Sequence, residues 1–223
     1  MNNPSFQQAA FTGDEDRIRP RSRARARGGA GGRSRFVVLA TACVAAFAAH
    51  AQDFSVRGGC RDGVPHGIYE LSTTDGQVRA IGAFNLGRRT SSFLFWTSGG
   101  VRVAQIPYDE GAISGTVAFW YANAPKGGDA TWKLQASFAK GALDGPKRSW
   151  FPDGRLRGDY LYERGALVAA KGWTASGVSL PEAAARAQAA KDLVEDARAY
   201  AALDAIVDAH LPHCEGVAGT IPQ

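Results

Sequence analysis

The chain has 223 residues, 45% hydrophobic and 21% charged, with 27 glycines and three cysteines. This composition excludes wholesale disorder, a multi-span membrane protein and a disulfide-dense miniprotein, and the length fits one domain or one domain with an appendage. A net charge of +5 and a pI near 9.3 would suit an anionic partner, so the position of the charge along the chain decides what it means.

Residues 1–35 carry eight arginines, three acids and the glycine-rich run Gly28–Gly32, and nothing there can build a core. An apolar stretch follows from Phe36 and ends in Ala49-His50-Ala51. Basic region, apolar core and A-x-A site in that order predict a secretory signal peptide cut between Ala51 and Gln52. Against the alternatives, the run is short for a retained membrane anchor and contains His50. A lipoprotein anchor on Cys43 would want Leu where Ala40 stands, and the arginine run read as a nucleic-acid arm would need basic charge in the mature protein. Residues 1–51 hold eight of the 26 basic and three of the 21 acidic side chains, which leaves 18 of each. A neutral mature chain has no surplus of cations for phosphates, so nucleic acid is not an expected partner.

The mature chain repeats. The glycines Gly63, Gly87, Gly111, Gly141 and Gly165 are spaced by 24, 24, 30 and 24 residues and define units near 63–86, 87–110, 111–140, 141–164 and 165–180. A small residue stands four positions after each anchor (Gly67, Ser91, Gly115, Gly145, Ala169). A tryptophan stands nine after the middle three (Trp96, Trp120, Trp150), and an aromatic stands three before each following anchor (Phe84, Tyr108, Phe138, Tyr162). Turn glycines recur at Gly76, Gly100 and Gly154. Each unit reads as strand, turn, strand, as in Arg148-Ser-Trp-Phe151, Pro152-Asp153-Gly154 and Arg155 to Tyr162. The third unit has six extra residues, placed most simply in a longer hairpin loop at 122–128.

The pattern of Gly141-Ala-Leu-Asp-Gly145, Trp150, Asp153-Gly154 and Tyr162-Glu-Arg-Gly165 resembles the MORN repeat in its bacterial variant form, over roughly residues 58–180. The resemblance implies consecutive β-hairpins forming an elongated twisted antiparallel sheet, in proteins often labelled antitoxin components, with no transferable catalytic residues. The match departs at Ser72, which stands where the tryptophan should be, at Trp173, one place early, and at Ser91 and Ala169. Atypical terminal units are expected, because they cap the stack. Trp96, Trp120 and Trp150 should align as a ladder on one face. They either fill space left by the glycines or, with Tyr108 and Tyr162, form a binding face for a peptide, a sugar or a lipid headgroup.

After Trp173 the composition shifts to alanine. Ser179-Leu-Pro-Glu182 fits a capping box, and Leu193, Tyr200 and Val207 recur seven apart, which predicts one amphipathic helix from Pro181 to about His210, ended by Pro212. Its charges, among them Asp192, Asp196, Asp204 and Asp208, make it too polar to span a membrane. Residues 52–180 hold 15 basic and 11 acidic groups, and residues 181–223 hold three and seven. A mainly β fold with this C-terminal helix packed on or beside the sheet follows, since a single-layer sheet needs a second layer to bury a core. The alternative is that the helix pairs with another chain.

Cleavage would leave Cys60 and Cys214, expected to form a disulfide between the first hairpin and the helix end. A metal site from His210, His213 and Cys214 with Cys60 and His66 would lack CxxC spacing and would lose its thiolates to that disulfide. No cofactor or catalytic constellation is expected, because the chain shows no G-x-S-x-G, H-E-x-x-H or P-loop. Asp75, Asp144 and Asp153 are read as turn residues. These features together predict an exported, periplasmic or secreted, non-catalytic repeat scaffold of the bacterial envelope with a protein partner and a membrane surface as a second kind of contact. An antitoxin or immunity protein and an envelope hydrolase acting on glycan or lipid are the alternatives.

Overall fold

The structure, a computed structural model, describes residues 53–122 and 131–215. The expected signal peptide with Cys43 and most of the long loop expected at 122–128 lie outside the described residues. Eleven strands precede one helix: β1 (Phe54–Arg61), β2 (Val64–Thr73), β3 (Val78–Asn85), β4 (Arg88–Trp96), β5 (Arg102–Asp109), β6 (Ala112–Ile113), β7 (Gly115–Trp120), β8 (Trp132–Ala139), β9 (Ala142–Trp150), β10 (Leu156–Glu163), β11 (Ala166–Gly172) and α1 (Glu182–Asp208). They form one open antiparallel sheet in which sequence neighbours pair from end to end, with the short β6 paired to β5 just before β7. Consecutive hairpins with a C-terminal helix are therefore the architecture of this protein.

Two turn types alternate along the meander. The repeat glycines are themselves tight turns, because Asp62-Gly63, Leu86-Gly87, Glu110-Gly111, Lys140-Gly141 and Arg164-Gly165 all have positive φ at both residues. That is the two-residue hairpin geometry whose twist matches paired strands, and it explains why glycine recurs at the second position. At the opposite sheet end lie wider turns such as Thr73–Gln77, Thr97–Val101 and Phe151–Arg155, in each of which the first residue donates its N–H to the carbonyl of the last and accepts from the glycine before that last residue. Asp153 accepts from the Arg155 guanidinium and backbone, and Asp75 accepts from Thr73, which holds both carboxyls below their ordinary range. The small residue four positions after an anchor bends the strand: Gly67, Gly115 and Gly145 have φ of 89°, 111° and 113°. Ser91 holds the same place at φ 60°, where a side chain is strained. Ser91→Gly is expected to raise stability by about 0.5–1 kcal/mol, read as a shifted urea midpoint with unchanged slope.

The helix supplies the second layer and lies across the strands. Successive contacts step from one sheet edge to the other: Arg186 donates to the carbonyls of Leu167 and Val168 on β11, and Gln188 to that of Arg157 on β10. Tyr200 packs on Phe119 of β7 and Phe138 of β8, Asp204 meets Tyr108 of β5, and the His210 carbonyl accepts from Tyr69 of β2. A helical turn rises about 5.4 Å and strands lie about 4.8 Å apart, so each turn lands on roughly the next strand. A helix of 27 residues spans about 40 Å, close to the width of ten paired strands.

Two helix expectations need correction. Ser179 pairs its backbone with Trp173 and does not cap, while Leu180 N–H bonds to the Gly172 carbonyl, so the helix starts at Glu182 with no side-chain cap. The buried stripe includes Tyr200 and Val207 as expected but departs from the seven-residue spacing at Leu193, where Asp192 turns inward instead. Ala185, Ala189, Asp192, Tyr200 and Val207 are buried, whereas Leu193 is exposed. The hydrophobic core is filled mainly by the sheet, with Tyr69, Leu71, Phe93, Phe95, Ile106, Val117, Phe119 and Leu134 buried beneath the helix.

Candidate functional site

The sheet has two faces of different character, and cross-strand register sorts residues between them. Beneath the helix runs the row Val56, Leu71, Ala80, Phe95, Ala104, Phe119, Leu134, Ser149, Gly158 and Gly172. It is apolar until the fourth repeat unit, where Ser149 takes the place held by Leu71, Phe95 and Phe119. Lys147, two residues earlier, takes the place of Tyr69, Phe93 and Val117. Both are buried, Lys147 at 1% exposure.

These polar residues answer the aspartates of the helix. Lys147 Nζ lies 2.8 Å from Asp196 Oδ2 and above the Tyr160 ring. Asp192, itself buried, accepts from Ser149 and Tyr160 and pairs with Arg157 at 2.6 Å. Further along, Asp208 pairs with Arg89 at 2.8 Å and Asp204 accepts from Tyr108. The charge complementarity between repeats and helix is thus used within the chain. Burial raises the Asp196 carboxyl above the carboxylate range against the attraction of Lys147. Burial likewise pushes the hydroxyls of Tyr69 and Tyr162 up to about 12 and that of Tyr108 higher still, so these tyrosines are neutral, and Tyr69 and Tyr108 donate to the helix. The seam joins helix to sheet in one register.

The other face has no helix on it. One row there is Trp96 paired with Arg102, then Trp120 paired with Trp132, then Trp150 paired with Leu156. Trp132 lies 5.1 Å from the Trp120 ring and 6.1 Å from that of Trp150, and the Arg102 guanidinium stacks 4.4 Å over Trp120. The neighbouring row is Arg57, Glu70, Ile81, Leu94, Gln105, Ala118, Gln135, Arg148, Asp159 and Lys171. Ile68 and Leu161 are exposed in a third row, on either side of the sheet centre.

The expected site residues divide between these faces. Trp96, Trp120 and Trp150 do share one face, with Trp120 buried in the row at 8% exposure. Tyr108 and Tyr162 are not part of it: both are buried under the helix, because the position three before an anchor points to the core side. The accessible ring is instead Trp132, 41% exposed. It occupies the repeat place of Val78, Arg102 and Leu156, a correspondence that the six-residue insertion hides in the sequence. Lys147 and Ser149 were findable as polar residues at apolar repeat positions, and Asp192 and Asp196 only once the helix phase was known.

Cys60 and Cys214 form the expected disulfide, with Cα atoms 5.6 Å apart. His66 accepts from the Leu86 backbone, and His210 packs edge-on against Phe54. Among the described residues no group of three His, Cys, Asp or Glu is placed to hold a metal, and no helix is long and apolar enough to cross a membrane. The chain matches no protein-family model and no curated protein.

Proposed function

We propose that this protein is an exported, non-catalytic scaffold of the bacterial envelope, built from MORN-like hairpin repeats, that binds through the face of the sheet opposite the helix. The observation that carries the reading is the asymmetry of the sheet. One face is closed by a helix fastened with ion pairs and a disulfide, and the other presents aromatic rings, exposed aliphatics and polar groups. Exposed apolar groups gathered on one face are the usual mark of an interaction surface. The Cys60–Cys214 bond suits an oxidising compartment outside the cytoplasm, as does the order of basic region, apolar run and small-residue site at Ala49-His50-Ala51.

Expression in a Gram-negative host followed by N-terminal sequencing should give a mature chain beginning at Gln52. That chain should be retained in the envelope fraction, and Trp132→Glu with Leu161→Lys should release it to the soluble fraction without lowering its melting temperature. Equal partition of wild type and variant, a mature chain beginning near Met1, or turnover of a glycan or lipid by the purified protein would refute the reading.

A further inference from the structure

The open face has an arrangement unlike that of a protein-binding patch. Protein interfaces place an apolar core inside a polar rim. Here polar groups sit inside the face: beside Leu94, Gln105 and Gln135 flank Ala118, followed by the Arg148–Asp159 ion pair at 3.1 Å, while exposed Ile68 and Leu161 lie outside that centre. Neither glutamine amide makes a hydrogen bond among the described residues, although both side chains are half-buried. Their amide groups reach solvent, so they can exchange water for the donors and acceptors of a ligand.

One register step along the same strands lie the rings of Trp120, Trp132 and Trp150. A flat apolar ring face beside a line of amide groups matches a sugar, which offers C–H groups on its face and hydroxyls at its edge. Arg102 adds a charge requirement. It is exposed, stacks on Trp120, and has no carboxylate partner among the described residues. A guanidinium held by an aromatic ring keeps its donors free for an anion, best a carboxylate it can meet with two hydrogen bonds. From these placements we infer that the open face binds a carboxylate-bearing glycan strand running across β4 to β9, with sugar rings on Trp132 and Trp150, hydroxyls on Gln105 and Gln135, and a carboxylate on Arg102. The row covers five strands, about 19 Å, enough for a short oligosaccharide. This inference rests on the open-face reading above and names its ligand.

The carboxylate could come from a secreted uronate polymer or from the cell wall, and two probes separate them. Isothermal titration of the mature, disulfide-bonded protein with alginate oligosaccharides and with solubilised peptidoglycan fragments should show binding to at least one, and neutral dextran none. Binding to the acidic glycan should weaken with added salt. Trp132→Ala, Arg102→Gln and Gln135→Ala should each weaken it by about tenfold or more. Arg102 and Gln135 lie on the open face, away from the core beneath the helix, so Arg102→Gln and Gln135→Ala serve if Trp132→Ala disturbs the neighbouring rings. Absence of binding to both acidic probes, or binding unchanged by Arg102→Gln and Gln135→Ala, would overturn the inference. If that happens while the Trp132→Glu, Leu161→Lys variant still leaves the envelope fraction, the open face binds another class of partner, such as protein, and only the glycan assignment falls.

Discussion

Replacing Cys60 and Cys214 together by serine is expected to lower stability by about 3–5 kcal/mol, measured by urea denaturation against the oxidised wild type. The bond closes a loop with a sequence separation of 154, and the entropy of an unfolded chain so constrained is reduced by an amount worth about 5 kcal/mol. It also joins the chain just after the helix to β1, at the sheet edge opposite the one where the helix begins. The loss should therefore be local before it is global. Hydrogen exchange should show the last turn of α1 and β1 opening first in the reduced protein, while β7 to β10 keep their protection. Equal stability of the oxidised protein and the double serine variant would show that the helix is held by packing and ion pairs alone.

Lys147→Met is expected to destabilise the protein by about 3–5 kcal/mol at pH 8, because it leaves the buried Oδ2 of Asp196 with its partner removed. The pH dependence has a defined sign. A carboxyl whose folded pKa lies above its unfolded value takes up its proton more readily when folded, so its contribution to stability is present below the folded pKa and is lost as pH rises through it. Burial already raises Asp196 in the wild type, and without Lys147 to oppose burial the rise is larger. The variant should thus recover much of its stability between pH 8 and pH 5, at about 1.4 kcal/mol for each pH unit over which folded and unfolded protonation differ. Lys147→Met with Asp196→Leu should regain most of the loss at pH 8, since an apolar pair of similar volume replaces the ion pair. A pH-independent loss in the single variant would show that Asp196 is not the group left exposed to the cost.

The seam around Lys147 does more than its net energy suggests. Alanines and aromatics could hold a helix on this sheet in several rotations, since an apolar surface is indifferent to register. Lys147 against Asp196 and Ser149 against Asp192 satisfy one rotation and leave buried charge in the others. This explains why the helix turns Asp192 inward and Leu193 outward, against the simplest reading of its seven-residue apolar spacing.

Much of the architecture is legible without coordinates. Glycines at constant spacing mark turns because only a residue without Cβ adopts their φ cheaply, and alternating aromatics mark strands with one buried face. The helix and the disulfide are readable for similar reasons, from the run of alanine without glycine and from the two cysteines that lie beyond the expected leader. The candidate binding face is less so. Period two assigns residues to two faces but does not say which face a helix will cover. Tyr108 and Tyr162 accordingly look equivalent to the tryptophans by periodicity, yet donate toward or pack beneath the helix. Trp132 is missed for another reason: its repeat position is displaced by an insertion and becomes visible only through pairing with Trp120.

Local chemistry, then, determined the hairpins, their turns and the helix, because each depends on residues near in sequence or on the conformational limits of glycine and proline, and the covalent tie was legible because Cys60 and Cys214 are the two cysteines after residue 51. The phase of the helix, the burial of Lys147 against Asp196 and the division of aromatics into a covered and an open face were decided by tertiary structure. Those depend on which side chains meet across the sheet, and that is set by the match between helical rise and strand spacing combined with the cost of burying an unpaired charge.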